Sequence, residues 1–276
     1  MKTNPENPLV SAIIPTFNRG WIICESVESI LNQKYPNIET IVIDDGSTDD
    51  TAKKLLPYLD RITYIKQENK GVSAARNLGI RMSAGRLTAF LDSDDLWTED
   101  KISCQVKFFQ NNPEAMICQT EEIWIRNGKR VNPKHKHKKP SGMIFEPSLN
   151  LCLVSPSAVM IKKELFETTG FFDESLPACE DYDLWLRISA TLPVFLIDKP
   201  CTIKKGGHDD QLSANHSLDK YRIKSLQKIL GTNILTESQY ISAIKIFKEK
   251  CIIYGNGCIK RGKINEGQHY LGFGSK

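Results

Sequence analysis

The sequence predicts an α/β fold: a doubly wound, mainly parallel sheet flanked by helices, with a small helical appendage at the C-terminus. Three observations predict it. Short apolar, β-branched runs alternate with segments of helical periodicity in the first half of the chain. Those runs are continuously apolar, as in strands buried on both faces. Beyond about residue 215 only helical patterning remains.

The elements follow in order. "LVSAII" (9–14) is a strand stopped at Pro15, and 20–33 is a helix with Ile23, Val27, Ile30 and Leu31 on one face. "ETIVIDDGS" (39–47) is a strand ending in carboxylates and Gly46, and 47–59 opens with cap residues Ser47 and Thr48. "ITYI" (62–65) is a short strand. Residues 71–85 form a helix with Val72, Ala75, Leu78, Gly79 and Met82 inward and Gly85 at its end. "LTAFL" (87–91) is the next strand, after which Thr98 caps a helix to about Asn111. Residues 117–131 read as two strand pieces joined by a turn at Asn127-Gly128. A basic, Pro-containing loop follows, then a strand, short helix and Gly turn over 155–176, a helix over 179–192 and a strand at 194–197.

The 276 residues suit one large domain over 1–213 with an appendage over 214–276. A net charge of +4 is too mild to argue for nucleic acid. The eight cysteines form no CxxC pair and sit mostly in apolar segments, the pattern of reduced thiols. The polar, Pro-broken N-terminus does not read as a signal peptide, and no apolar run approaches the ~20 residues of a membrane span. These features predict a cytoplasmic protein, touching at most the inner membrane face.

In a doubly wound sheet, ligands bind beyond the carboxyl ends of the strands. Residues 15–19, 44–49 and 92–95 all fall there. Asp92, Asp94 and Asp95 would repel one another in a crevice, and a hard divalent cation, Mn²⁺ or Mg²⁺, resolves that conflict while leaving positions for a diphosphate. Read alone, the same acids also serve as helix caps. Asp44 and Asp45 suit either a turn or a hydrogen bond to a nucleotide base or ribose. Neither GxGxxG nor GxxxxGK[ST] occurs, so phosphates are not held by a Gly-rich loop.

Five segments in register, "VSAIIPTFNR", "IVIDDGSTDDT", "NKGVSAARNLGI", "AGRLTAFLDSDD" and "CEDYDLWLRI", resemble the family 2 glycosyltransferases of GT-A fold across residues 9 to about 213. The resemblance implies an inverting transfer of a sugar from a nucleotide-sugar, with UDP the favoured nucleotide. It implies that Pro15, Thr16, Phe17, Asn18 and Arg19 border the nucleotide and that Asp45 reads the base edge. Arg76 would lie near the nucleotide or brace its acids, and Asp94 would contact ribose or sugar. Asp95 would ligate the metal, and Asp181 would be the general base. Glu180, Asp181 and Asp183 all suit a helix N-terminus on charge alone; the resemblance favours Asp181. His208, in "GGHDDQLS", is a candidate further metal ligand or an exposed loop residue.

Two alternatives belong to other classes: a nucleotidyltransferase, for which the expected Gly-rich loop is missing, and an inactive sugar-nucleotide-binding partner protein. The basic loop 129–139 reads either as a solvated, flexible loop or as a contact for an anionic acceptor or lipid headgroups; nucleic acid suits it less, because no aromatic residues interleave its charges. The acceptor would be a polysaccharide, a lipid-linked glycan or a protein. Residues 247–271 resemble a tetratricopeptide-like helical pair, which would pack on the main domain or mediate a homodimer.

Overall fold

A computed structural model describes residues 7–132, 134–207 and 218–274. The strands are β1 (Val10–Thr16), β2 (Ile38–Asp44), β3 (Thr63–Lys66), β4 (Leu87–Phe90), β5 (Leu96–Trp97), β6 (Ile117–Arg126), β7 (Lys129–Val131), β8 (Val159–Lys162) and β9 (Phe195–Gly206). The helices are α1 (Ile23–Leu31), α2 (Thr51–Leu55), α3 (Val72–Met82), α4 (Lys101–Asn111), α5 (Phe145–Ser148), α6 (Leu165–Thr169), α7 (Glu180–Ser189), α8 (Leu218–Leu230), α9 (Glu237–Lys260) and α10 (Ile264–Gly274). The strands form one sheet in the order β3-β2-β1-β4-β8-β6-β9-β5, with β7 paired to β6.

Strands β3, β2, β1 and β4 are mutually parallel, as the alternation of strand and helix along the chain predicts. Beyond β4 the sheet is mixed: β8 is antiparallel to β4 and to β6, whereas β9 runs parallel to β6. An apolar run carries no information on strand direction. The reversal has a functional consequence, because β8 starts at the end of the sheet where β1, β2 and β4 finish. Its preceding residues, Ser155 and Ser157, therefore reach the ligand edge.

Period-two alternation divides the core between the two faces of the sheet. Ala12 and Ile14 pack with Val27 and Ile30 of α1 and Val106 and Phe109 of α4. Ile13 faces the other way, with Ala75 and Ile80 of α3 and Leu184, Trp185 and Ile188 of α7. Helix α3 lies so close to β1 that a Cβ on Gly79 would sit 2.4 Å from Ile13 Cγ2. Met82, expected inward, is 52% exposed because it ends α3. Helix α4 begins at Lys101, not at Thr98, whose carbonyl instead accepts the Lys101 N–H at 3.1 Å. The Asn127-Gly128 turn has φ of 49° and 73°, the two left-handed residues of a type I′ hairpin.

The C-terminal helices share a core with α5 and α7: Ile223, Leu226, Phe247 and Cys251 pack on Phe145, Tyr182 and Leu186. A capping box at Thr236 and Gln239 starts α9, and Gln239 Nε2 also donates to the Ala190 carbonyl at 2.9 Å, tying the cap to the end of α7. The expected boundary at 213/214 lies outside the described residues.

Gly79→Ala is expected to lower unfolding free energy by about 1–2 kcal/mol, because overpacking of about 1–3 kcal/mol outweighs a helix-propensity gain of up to ~1. Urea denaturation measures it; an unchanged midpoint would show that α3 can withdraw from Ile13 without cost.

Candidate active site

The crevice is built at the carboxyl ends of β1, β2 and β4, where register aligns Thr16 with Asp44. The two acids after β2 have distinct surroundings. Asp44 is buried, with Oδ1 accepting the Ser47 N–H at 2.7 Å and Oδ2 accepting the Tyr64 hydroxyl at 2.6 Å. Asp45 accepts from Gln67 Nε2 (2.6 Å) and Lys70 N–H (2.9 Å) on Oδ1, and from Gly71 N–H (2.8 Å) on Oδ2. A carboxylate has roughly four acceptor sites, so about one remains on Oδ2 for a ligand donor. Pro15 and Thr16 are buried at the end of β1, and Thr16 Oγ1 has no hydrogen-bond partner among the described residues. Phe17 is 44% exposed at the rim.

Asn18, with φ of 52°, ties the loop after β1 to the loop after β2. Its Oδ1 accepts the Thr48 N–H at 2.8 Å, and its own N–H donates to Ser47 Oγ at 2.8 Å. The Arg19 N–H donates to Thr51 Oγ1 at 2.9 Å. The polar residues that read as nucleotide contacts are thus also the ones that join the two loops.

The turn after β4 concentrates the negative charge. Asp92 is half-buried, and its carboxylate receives Arg76 Nη2 at 2.7 Å. The other arm of the same guanidinium, Nη1, lies 2.6 Å from Glu180 Oε1 on α7. Arg76 is almost fully buried and stacks over Phe172 at 5.2 Å. Asp95 is buried as well: Oδ2 accepts from Ser157 Oγ at 2.6 Å, and Oδ1 from the Lys205 N–H at 3.1 Å. Ser157 Oγ in turn accepts the Asp92 N–H at 3.1 Å. Beneath the turn, Ser26 Oγ of α1 lies 2.9 Å from the carbonyls of Ser93 and Asp95. Asp94 is half-buried between Asp92 and Asp95.

Lys204 supplies the second cation. Its Nζ is 3.2 Å from Ser155 Oγ, in the field of Glu122, Asp95, Asp92 and Asp181. Burial works against its charge, yet those acids hold its pKa above the ordinary lysine value. Burial also works against the Asp92 anion, which Arg76 and Lys204 nevertheless keep below the usual carboxylate range. Asp95 goes the other way. Burial, reinforced by Asp92 and Asp94, pushes it up to about 8 despite Lys204.

Asp181 sits in the first turn of α7, half-buried. Its Oδ1 accepts the Tyr182 N–H at 2.7 Å, and its Oδ2 lies 3.4 Å from Cys152 Sγ. Glu180 turns inward to Arg76, whereas Asp183 is buried against Arg187 (3.0 Å) and Lys228 (2.8 Å). Of the three acids that sequence alone left equivalent, two are thus held in ion pairs within the protein.

The structure brings Thr16, Asp45, Arg76, Asp94, Asp95 and Asp181 to one edge. His208 lies outside the described residues. Lys139, counted with the exposed basic loop, is buried: it pairs with Glu122 at 3.1 Å and donates to the Thr120 carbonyl at 2.9 Å. Sequence reasoning missed Lys204, Ser157 and the Glu180 half of the Arg76 clamp. Glu180 was legible as an acid of the "CEDYD" segment, but nothing in sequence paired it with Arg76.

Among the described residues no group of three His, Cys, Asp or Glu side chains is arranged to hold a metal. The acids of this turn that are not paired with Arg76, Asp94 and Asp95, would offer a metal oxygen donors only. The unfavourable charge on Asp95 is what a hard cation would relieve, with phosphate oxygens and water completing its shell.

Residues 11–170 match the family described as glycosyl transferase family 2, and the chain belongs to that family. It is 33% identical over 274 residues to an uncharacterized glycosyltransferase of Rickettsia typhi, covering 94% of this chain and 84% of the relative. It is 35% identical over 182 residues to the Escherichia coli UDP-Glc:alpha-D-GlcNAc-diphosphoundecaprenol beta-1,3-glucosyltransferase WfgD, covering 65% of this chain and 69% of that enzyme. Staphylococcus aureus TarS 1-349, solved in complex with UDP-GlcNAc, shares the fold with a TM-score of 0.75 at 19% identity, over 95% of this chain and 78% of that one. The mixed sheet flanked by helices is therefore the GT-A fold of the glycosyltransferases.

An acid raised in the folded state binds a proton that the unfolded chain has released. The stability this contributes is complete below about pH 4 and is lost as pH rises through about 8. In metal-free buffer the unfolding free energy of the native protein, measured by urea denaturation, is therefore expected to fall relative to Asp95→Asn between pH 5 and 8, by on the order of a few kcal/mol. Parallel pH profiles for the two proteins would contradict the assignment to Asp95.

Proposed function

We propose that this chain transfers a sugar from a nucleotide-sugar, a UDP-sugar, to an acceptor hydroxyl with inversion at the anomeric carbon, in the synthesis of a cell-surface polysaccharide or glycan. One observation carries the reading. Arg76 joins the acid turn after β4 to the start of α7, so that Asp94 and Asp95 share an edge with the half-buried Asp181. Membership of family 2 supports sugar transfer, and the UDP-glucose donor in the name of the E. coli relative supports the choice of nucleotide.

The donor would lie along the edge with its base toward Phe17 and the open Asp45 oxygen. Its diphosphate would rest near Asp94 and Asp95. Asp181 would accept the acceptor's hydroxyl proton while that oxygen bonds to the anomeric carbon. The bond from that carbon to the diphosphate breaks in the same displacement, and the nucleoside diphosphate leaves with the electron pair. The rear approach is the origin of inversion. A Mn²⁺ or Mg²⁺ held by Asp95, with His208 as a further candidate ligand, would neutralise charge on the leaving diphosphate. Lys204 would keep the floor of the site cationic, and Arg76 would keep Asp92 and Glu180 from competing for the ligand.

Glu180 and Asp183 are less suited to the role of base, because each is committed to a cation within the protein. Asp181 keeps its carboxylate at the helix N-terminus, where the dipole favours the anion. The acceptor follows the same logic only as a class: a hydroxyl on a glycan, whether lipid-linked, at a polysaccharide end or on a protein.

The test is a panel of UDP-sugars with Mn²⁺ or Mg²⁺, reading nucleoside diphosphate release with a glycan acceptor. Asp181→Asn is expected to lower turnover by about 10²–10⁴-fold while donor affinity stays within a factor of two or three. A variant that kept native turnover would remove Asp181 as the base. Asp95→Ala is expected to abolish both metal-dependent turnover and the thermal stabilisation that Mn²⁺ and UDP give together. Full metal-dependent activity in that variant would place the metal elsewhere.

A further inference from the structure

The hairpin of β6 and β7 carries a charge that the transfer chemistry does not use. Residues 123–142 contain seven of the chain's 37 Lys and Arg and none of its 33 Asp and Glu. The rest of the chain is therefore net acidic, although the whole is +4. Such a block is usually a solvated, flexible run. Here it is built into a ledge.

Three features make the ledge. Pairing of β6 with β8 ends at Gln119, and from Glu122 to Arg126 the strand pairs with β9 in the register Trp124↔Lys204 and Arg126↔Gly206. The hairpin thus continues past the crevice edge that Lys204 floors. Trp124 then anchors the returning loop. Its Nε1 donates to Glu122 Oε2 at 2.9 Å, its ring packs 5.2 Å from that of His137, and the Arg126 guanidinium lies 5.9 Å from its centroid. Finally, Lys139 is pulled inward onto Glu122, which pins the loop's far end. Burial opposes the Glu122 charge, but Lys139 and Lys204 hold that acid at about 2.

What remains outside is Arg126, Lys129, Arg130, Lys134 and Lys138, all exposed. None forms an ion pair with an acid among the described residues. Cations spread over a projecting surface match a sheet of diffuse negative charge better than one bound group.

We propose that this hairpin docks the protein on an anionic phospholipid surface, with Arg126, Lys129, Arg130, Lys134 and Lys138 facing the headgroups. Docking would turn the crevice edge toward the membrane, where a lipid-linked acceptor would be presented. That last consequence rests on the sugar-transfer reading; the docking itself does not.

Vesicle co-sedimentation of the full chain tests it, with phosphatidylcholine alone or mixed with phosphatidylglycerol. Binding is expected only to the anionic vesicles, and to weaken as salt shortens the screening length. The triple change Lys129→Gln, Arg130→Gln, Lys134→Gln is expected to weaken it about 100-fold, at about fivefold for each cation removed. UDP binding by the triple variant is the control for folding and is expected to be unchanged. The proposal is overturned if the native protein ignores phosphatidylglycerol, or if the triple variant binds these vesicles as the native chain does. Tighter retention by RNA or an acidic polysaccharide, at salt that already strips the vesicles, would also overturn it in favour of those polyanions.

Discussion

A buried guanidinium holds the acidic edge of this protein together. Arg76, carried on α3, reaches one carboxylate in the turn after β4 and another at the start of α7, two elements separated by nearly ninety residues of chain. Removing the cation would leave two acids in a low-dielectric site without a partner, a cost of about 3–5 kcal/mol. Its fork suits the task, because two parallel arms can each hold a carboxylate in fixed geometry. The close seating of α3 on β1 at Gly79 places that fork where both acids meet.

Lys204 and Ser157 complete the balance. Both come from the mixed half of the sheet: Ser157 just before the reversed strand β8, and Lys204 near the carboxyl end of β9. A purely parallel sheet would bring only strand C-termini to the ligand edge. The antiparallel entry of β8 adds residues that precede a strand, and one of them donates to the most destabilised acid, Asp95. The site thus consists of unequal carboxylates. Asp92 and Glu180 are committed to Arg76, Asp44 to Tyr64 and Ser47, and Asp183 to Arg187 and Lys228, whereas Asp95 meets only the neutral donors of Ser157 and the Lys205 backbone at hydrogen-bond distance.

The same division applies to the basic residues. Lys139 reads in sequence as one more charge in a run, yet it serves as the counter-ion of a buried glutamate. Its neighbours stay on the surface, while the tilted contact of the Trp124 and His137 rings holds the loop against the hairpin. Burial, rather than residue type, separates a structural cation from one free to meet a partner.

The alternation of apolar runs and helical periods was enough to determine the parallel half of the sheet, its helices, the Asn127-Gly128 hairpin and the C-terminal helix pair. These features depend on short-range preference and on one-dimensional pattern. The five motifs in register were enough to determine the family. Tertiary structure alone decided the direction of β8, the partner of each acid and the burial of Lys139. Each of these is a contact between residues far apart in the chain, and the energy of a charge depends on what surrounds it in space. "LDSDD" and "CEDYD" each present a set of similar acids in sequence. Arg76, Lys204, Ser157 and Lys228 make them different.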